Sequence, residues 1–539
     1  MRNIFWCKKC NAPILTVKCK ACNTQGFRIA SDIRPIFPEE KMLLEVLLQF
    51  PQGYLSKKSV WYTSGNMLLI DGKTQPLNKG ELEQLDISKI RKELFHRKSN
   101  FNLNYEYSFF DNHIRGFIMC NRERVNEIEF EAFEIVEKAK SLERNFVPIV
   151  SFSGGKDSTV VSDIVRRAYA NQSIIHAFGN TTLELPETLE YISRFKKNNN
   201  KTPFIESKSK HNFINVCEKI GPPSRVMRWC CTVFKTGPIG QTFSGLSATK
   251  PILTYYGVRR SESSRRSKYK TIEKSPKISQ QTVVAPIINW NDVDIWLYIL
   301  ERNLDFNHSY RLGFSRVGCW ACPSNSSWSF FLTRIYHPEL SEPWRKFLIG
   351  VAQGIGKPDP IEYVDSGNWK ARQGGMGLEN SYKGIITSKP CGDDPFAKTY
   401  QLTKPIESGL YEYFKPFGTI SFTKGRSILG EVFVLDKKTE DPIIILQGRP
   451  GTSELRVKIV SSNNPTLLMQ RIDCQIRKYQ SCILCGGCPS ICPTKAISVT
   501  TGKYRIDEKK CISCLKCIAN FDTGCLVSKV LKTKKGENK

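Results

Sequence analysis

Ser151-Phe-Ser-Gly-Gly-Lys-Asp-Ser158 follows directly on the apolar run Phe146-Val-Pro-Ile-Val150. The run has the length and composition of a short buried strand. The stretch after it is a glycine-rich loop, and Ser158-Thr159-Val160-Val161 opens a helical pattern. Gly154 and Gly155 let the backbone approach an anion closely. The N–H groups of Ser153, Gly154, Gly155, Lys156, Asp157 and Ser158 then cradle a phosphate or sulfate at a helix N-terminus, with Lys156 adding a cation. The spacing is not Gly-x-x-x-x-Gly-Lys-Ser/Thr, which disfavours an ordinary P-loop nucleotide triphosphatase.

Outward from this loop, strand and helix patterns alternate: strands at 147–152, 174–178 and 203–206, helices at 159–170, 186–197 and 211–219. Such alternation predicts an α/β fold with a doubly wound parallel sheet covered by helices on both faces. Ligands of such sheets bind at the carboxyl ends of strands, where 153–158 falls. An amphipathic helix is predicted at 127–142. We place this domain at 124–345. Residues 1–28 form a small cysteine-rich module. Residues 29–123, with a helix at 41–49 and strands at 60–63 and 67–70, form a small α/β domain of no assignable chemistry. Residues 346–400 read as an extended linker. Residues 401–470 read as a β-rich domain, with strands at 427–435 and 442–446. A second cysteine-rich module spans 471–528, and 529–539 is a basic, disordered tail.

The chain has 539 residues and a formal net charge of +29. The length calls for several domains. The charge implies attraction to anions, from nucleotides to tRNA or another nucleic acid. No stretch reaches the ~18 consecutive apolar residues of a membrane span, and the first residues lack a signal-type apolar core. The expectation is a cytoplasmic protein with no membrane partner.

The 20 cysteines are not scattered. Their Cys-x-x-Cys spacings read as metal sites instead of disulfides. Cys7-x2-Cys10-x8-Cys19-x2-Cys22 forms two knuckles whose four thiolates suit one structural zinc ion, with iron as the alternative. Cys482-x2-Cys485-x2-Cys488-x3-Cys492-Pro493 and Cys511-x2-Cys514-x2-Cys517-x7-Cys525 form a tandem iron–sulfur pattern, with zinc as the alternative. Cys230-Cys231 is followed further along by Cys319-x2-Cys322. Adjacent cysteines strain a disulfide between them, yet both can ligate one cluster.

Three resemblances follow. The 482–525 runs resemble a bacterial two-cluster ferredoxin. By that pattern Cys482, Cys485, Cys488 and Cys525 hold one 4Fe-4S cluster, and Cys492, Cys511, Cys514 and Cys517 the other. The second run departs from the pattern in its x7 spacing and in having no Pro after Cys525. Ser-Gly-Gly-Lys-Asp-Ser resembles the PP-loop of the adenine nucleotide alpha hydrolases. Within that superfamily, 146–330 resembles the phosphoadenosine phosphosulfate (PAPS) reductase family. The resemblance is carried by Asn180-Thr-Thr-Leu-Glu-Leu-Pro-Glu-Thr188, Tyr256-Gly-Val-Arg-Arg-Ser-Glu-Ser263, Pro286-Ile-Ile-Asn-Trp290, Asp294-Ile-Trp296, Gly313-Phe314 and Gly318-Cys319. Cys230, Cys231, Cys319 and Cys322 resemble the 4Fe-4S site of adenylylsulfate (APS) reductases. The resemblance implies reduction of PAPS or APS to sulfite, three 4Fe-4S clusters with the zinc, and a low-potential electron donor. Lys156, Asp157, Arg259 and Arg260 are the implied catalytic residues. Arg266 joins the loop in binding nucleotide, since guanidinium forks suit phosphate oxygens.

One family element is missing. The late Glu-Cys-Gly-x-His motif, whose cysteine attacks the sulfate sulfur, has no counterpart. Its nearest candidate is Cys391 in Lys389-Pro-Cys-Gly-Asp393. The fused ferredoxin pattern offers another electron source. The alternative function is a PP-loop sulfur transferase or thiolase that adenylates tRNA or DNA with ATP.

Overall fold

The structure, a computed structural model, describes residues 3–63, 67–77, 85–142, 145–247, 250–370, 385–392, 394–519, 525 and 532–535. Among these no helix is long and apolar enough to cross a membrane. The central sheet runs Phe204–Lys208, Ile175–Asn180, Val147–Ser151, Ile252–Tyr256, Gln281–Val284, Ile272–Lys274. Its first five strands are parallel and the last is antiparallel to its neighbour. Ile149 and Val150 are fully buried, as a parallel strand covered on both faces requires. Every strand and helix expected between 147 and 219 is present, with ends shifted by a few residues.

The sheet grows to one side of Val147–Ser151 through Ile175–Asn180 and Phe204–Lys208. It then grows to the other side through Ile252–Tyr256. This reversal of winding opens a crevice at the carboxyl end of Val147–Ser151. Ser151 lies opposite Ala177 on one neighbour and Tyr256 on the other.

The helix expected at 127–142 is the second half of a longer one, Leu103–Lys140. An apolar stripe of Phe110, Ile114, Phe117 and Cys120, then Val125, Ile128, Ala132 and Val136, is buried along it. The polar stretch 121–124 interrupts that stripe in the sequence. The helix bends there, at Asn121 (φ −126°, ψ 15°). The Asn121 amide donates to Pro13 O at 2.9 Å and accepts from Leu15 N–H at 2.9 Å. The bend thereby clamps the N-terminal cysteine module. Ile4, Trp6, Phe37, Phe117, Val150, Val160 and Trp296 belong to one continuous core. The boundaries expected at 28 and 123 therefore do not separate cores.

Residues 346–400 are not an extended linker. Helix Pro338–Gly354 runs into them, followed by helix Pro360–Asp365 and by strands Ile385–Cys391 and Asp394–Gln401. Leu348, Ala352, Val364 and Trp369 are buried there in one apolar cluster with Phe213, Trp229 and Phe234, so the segment packs onto the PP-loop domain. Residues 371–384 and 393 of that expectation lie outside the described residues. The two strands join a seven-stranded sheet ordered Thr419–Ser421, Glu431–Leu435, Pro442–Gln447, Glu454–Ile459, Asp394–Gln401, Ile385–Cys391, Lys532–Lys535. Of the strand expected at 427–435, Ser427–Leu429 is a 3-10 turn and only Glu431–Leu435 is extended. The tail expected to be disordered contributes Lys532–Lys535, paired parallel to Ile385–Cys391; 529–531 and 536–539 lie outside the described residues. Helix Pro465–Ser481 covers the sheet. Val457, Ile472 and Ile476 share a core with Cys492, Ile497, Tyr504 and Ile518, so the β-rich and second cysteine-rich segments are one unit.

Candidate functional site

The loop after Val147–Ser151 turns through Gly154 at φ +71°, a conformation that suits glycine, and helix Lys156–Ala168 begins directly behind it. Its shape is held from within and from outside. Ser158 Oγ donates to Gly155 O at 2.8 Å and accepts from Ser153 N–H at 3.2 Å. Asn307 Nδ2 donates to Gly154 O at 3.1 Å, and the Lys156 backbone N–H donates to Tyr310 Oη at 2.9 Å. A Cβ on Gly257 would meet the Asp157 carbonyl carbon at 2.7 Å, so the segment after Ile252–Tyr256 packs straight onto the loop backbone.

Lys156 is only 3% exposed. Its Nζ lies 3.2 Å from Asp157 Oδ2 and 3.1 Å from Asp292 Oδ1. Arg259, also buried, binds the same two carboxylates, Asp157 at 2.5 Å and Asp292 at 2.8 Å. Burial by itself raises the Asp157 carboxyl; Lys156 and Arg259 outweigh it and hold the group at about 2. The same carboxylates offset the burial of both cations and keep them charged. The sequence-predicted trio Lys156, Asp157 and Arg259 is thus one ionic net, with Asp292 as its fourth member. Arg260 Nη2 donates to Tyr269 O at 3.1 Å, and its Nη1 binds Asn289. Arg266 pairs with Glu262, which also accepts from the Arg259 backbone N–H at 3.1 Å.

Asp292 starts helix Asp292–Glu301, and its N–H is capped by Asp32 Oδ2 at 3.0 Å. Burial, then the Asp292 charge, raise the Asp32 carboxyl to about 6. Asp32, Asp292, Asn307 and Tyr310 were missed from the sequence. Sequence spacing alone does not link Asp292 to the loop. Only the fold turns that carboxylate toward Lys156.

Cys230 and Cys231 sit on the short helix Trp229–Cys231, which continues through a π-turn, Thr232–Thr236. Cys230 hydrogen-bonds Cys231 and lies within electrostatic reach of Cys319 and Cys322. The Cys230 hydrogen bond is the main cause that lowers Cys231; Arg228, Lys235 and Lys277 act in the same direction against burial. That environment favours thiolate and fits an anionic metal group. The set lies at the crevice edge of the sheet. Thr181, just past Ile175–Asn180, contacts Cys319 Sγ through its Oγ1 at 3.2 Å. The sequence reading missed Arg228, Lys235 and Lys277, which converge only in the fold. No cysteine pair among the described residues forms a disulfide.

The C-terminal cysteines lie in two neighbourhoods. Cys485 lies within electrostatic reach of Cys482, Cys488 and Cys525. Cys492, Cys511, Cys514 and Cys517 line one shallow cleft. Cys485 and Cys525 pack against the same apolar cluster as Cys230 and Cys319, around Trp229, Phe234 and Trp344. In the N-terminal module the sulfurs of Cys7, Cys10, Cys19 and Cys22 all lie within 4.8 Å of one another. Four thiolates about 2.3 Å from one tetrahedral ion stand about 3.8 Å apart, so the group fits a single ion. Cys19 Sγ also contacts Cys120 Sγ at 3.5 Å, a neighbour supplied by the bent helix. Cys391 is not in a flexible segment. It closes a hairpin of the seven-stranded sheet, opposite Asp394, in a different sheet from the loop 153–158.

Sheet order, loop and helix define a PP-loop, adenine nucleotide alpha hydrolase-like α/β fold. Residues 147–325 match the model of the phosphoadenosine phosphosulfate reductase domain. An uncharacterised protein of Methanocaldococcus jannaschii is 31% identical over 233 residues, 43% of this chain and 55% of that protein. The chain thus spans about half the length of that relative. An adenosine 5'-phosphosulfate reductase of Staphylococcus epidermidis is 27% identical over 211 residues, 37% of this chain and 82% of the enzyme. A solved phosphoadenylyl-sulfate reductase from Candida auris, in a phosphate complex, is 16% identical, with 37% of this chain and 96% of that chain covered and a TM-score of 0.28.

Proposed function

We propose that the chain reduces an adenine sulfonucleotide, APS or PAPS, to sulfite and the adenosine phosphate. The observation that carries the reading is the placing of two features on one edge of one parallel sheet. The anion loop 153–158 follows Val147–Ser151, and the set Cys230, Cys231, Cys319 and Cys322 flanks the end of the adjacent strand Ile175–Asn180. The similarity of 147–325 to the reductase domain model supports it.

The nucleotide phosphate is held by N–H groups of the loop other than those of Ser153 and Lys156, which Ser158 Oγ and Tyr310 Oη already take. Lys156 and Arg259 already share Asp157 and Asp292, so their role is to fix the loop as well as to attract the anion. Arg228, Lys235 and Lys277, which surround Cys231, supply the positive field for the sulfo group. Two electrons enter, and the bond between sulfur and the bridging oxygen breaks. Sulfur leaves as sulfite, and the nucleotide keeps the oxygen on its phosphate.

Three 4Fe-4S groups, held by the three cysteine sets, supply one-electron transfer from a low-potential donor when bound. Cys7, Cys10, Cys19 and Cys22 hold zinc, which orders the N-terminal strands against the bent helix. Cys391 takes no part.

A second reading, sulfur transfer to tRNA or DNA after adenylation, draws on the net charge of +29. Anaerobic incubation with APS, PAPS or ATP and a low-potential donor separates the two. Sulfite from either sulfonucleotide supports reduction. No sulfite, with pyrophosphate released from ATP in the presence of a nucleic acid, overturns it.

A further inference from the structure

Helix Pro465–Ser481 carries Lys478 into the interior, where it is 2% exposed. A buried ammonium is costly unless opposite charge and hydrogen bonds surround it. Its Nζ donates to Tyr504 Oη at 3.2 Å and to Cys517 O at 3.4 Å, both neutral acceptors. It lies 4.7 Å from the Tyr504 ring centroid and 5.8 Å from that of Tyr413, two rings stacked 4.5 Å apart at 8°. Among the described residues none of the ion pairs brings a carboxylate to it. The ionisable groups that face it include, besides Tyr504 and Tyr413, the thiols Cys482, Cys488 and Cys525 of one ligand set and Cys517 of the other. The structure thus places one cation between two groups of cysteines. Held as metal-bound thiolates, their sulfurs would be its counter-charge.

We propose that Lys478 is a positioning residue that raises the reduction potentials of the two C-terminal iron–sulfur groups by holding a fixed positive charge between their ligand sets. The proposal rests on the reading of Cys482/Cys485/Cys488/Cys525 and Cys492/Cys511/Cys514/Cys517 as two 4Fe-4S sets. Reduction adds a negative charge to a group already ringed by thiolates. A cation in a low-dielectric interior stabilises that added charge more than a cation in water does. Tyr413 acts in the same direction, because its hydroxyl is hydrogen-bonded to Cys482. Both residues belong to the unit built on the seven-stranded sheet. The β-rich segment therefore shapes the electrostatics of the iron–sulfur module that follows it.

The test uses the full-length protein, purified anaerobically, with iron analysis and a reductive titration followed by electron paramagnetic resonance. Lys478→Met keeps the stem and removes the charge. The expected result is unchanged iron with at least one midpoint moved negative. At a fixed potential the reduced-to-oxidised ratio falls about tenfold, about 59 mV for one electron. Lys478→Arg restores the charge and brings the midpoint back toward wild type. Full iron in Lys478→Met with every midpoint unchanged overturns the proposal. Loss of iron in both variants from a loaded wild type also overturns it, because the lysine is then structural. Wild-type protein without iron at these sets overturns the ligand reading itself, and shows this before any substitution is made.

Discussion

The carbonyl oxygen of Cys485 lies 1.9 Å from the point where a Cβ on Gly237 would sit. The C-terminal unit is docked so closely on the PP-loop domain that no side chain fits between them there. Gly240 stands in the same relation to Ser490 Oγ, also at 1.9 Å, and Gly487 to Thr232 Cγ2 at 2.7 Å. Hydrogen bonds flank the contact: Ser279 N–H donates to Ser490 O at 3.0 Å, Gln280 Nε2 to Pro493 O at 3.1 Å and Lys495 Nζ to Ser247 O at 3.0 Å. Gly237→Ala is expected to separate the two units locally and to cost about 1–3 kcal/mol, the range for overpacking. Chemical denaturation and limited proteolysis measure this. An unchanged midpoint together with an unchanged cleavage pattern would show that the contact carries no energy.

Lys156 and Asp292 should behave as a pair although they come from different segments. Lys156→Ala leaves Asp292 and Asp157 with Arg259 alone, inside the protein. The expected cost is about 3 kcal/mol of stability, as when one partner of a buried pair is removed, with loss of adenine-nucleotide affinity. Asp292→Asn, outside the loop, should weaken the same affinity. Calorimetry with AMP checks both. Wild-type affinity in both variants would put the nucleotide pocket elsewhere.

His176 gives a pH test with a definite sign. It is fully buried, its Nε2 lies 2.8 Å from Ser162 Oγ, and burial lowers it to about 4. An unfolded histidine titrates near 6.5. Between these values the unfolded chain binds the proton and the folded chain does not. The contribution is therefore present above about pH 6.5 and is lost as pH falls toward 4, up to about 3 kcal/mol. The difference in unfolding free energy between wild type and His176→Gln should shrink across this window. A difference that stays flat from pH 7 to pH 4 would contradict the burial argument.

The sequence showed the central sheet well, because strand and helix periods alternate cleanly from 147 to 219 and the glycine loop marks the turn between them. Cysteine spacing likewise pointed to Cys7, Cys10, Cys19 and Cys22, whose sulfurs the fold gathers about one point. What stayed hidden depends on distant segments. Asp32 caps a helix some 260 residues further on, and Lys478 is buried only because the Tyr413–Tyr504 stack and the cysteine loops close over it. Helix Leu103–Lys140 was half seen, since a polar stretch at its bend broke the apolar stripe. The expected linker failed because glycine and proline near 350–396 suggested loose chain, whereas strand pairing across Ile385–Cys391 and Asp394–Gln401 overrides local propensity.

Metal content should follow the cysteine sets. Anaerobic protein is expected to hold about twelve iron atoms and one zinc per chain. Iron near eight would remove the group at Cys230, Cys231, Cys319 and Cys322. Zinc below stoichiometry, with Cys7–Cys22 intact, would leave the N-terminal strands without their ion.

The route of the electrons is tested by two cysteines that the fold separates. Cys391 closes a hairpin in the seven-stranded sheet, and the Glu-Cys-Gly-x-His context that marks a nucleophilic thiol is absent around it. Cys391→Ser should leave sulfite formation near the wild-type rate. Cys319 contacts Thr181 at the edge that carries the anion loop, so Cys319→Ser should abolish sulfite formation with loss of about four iron atoms. Deleting residues 471–539 is a poorer test. Ile472 and Ile476 share a core with Val457, so the deletion opens the sheet unit as well as removing its cysteines. The point substitutions avoid that. An inactive Cys391→Ser with full iron, and activity supported by dithiothreitol alone, would restore a thiol mechanism. A Cys319→Ser protein that still makes sulfite would show that the set at the crevice takes no part in the reduction.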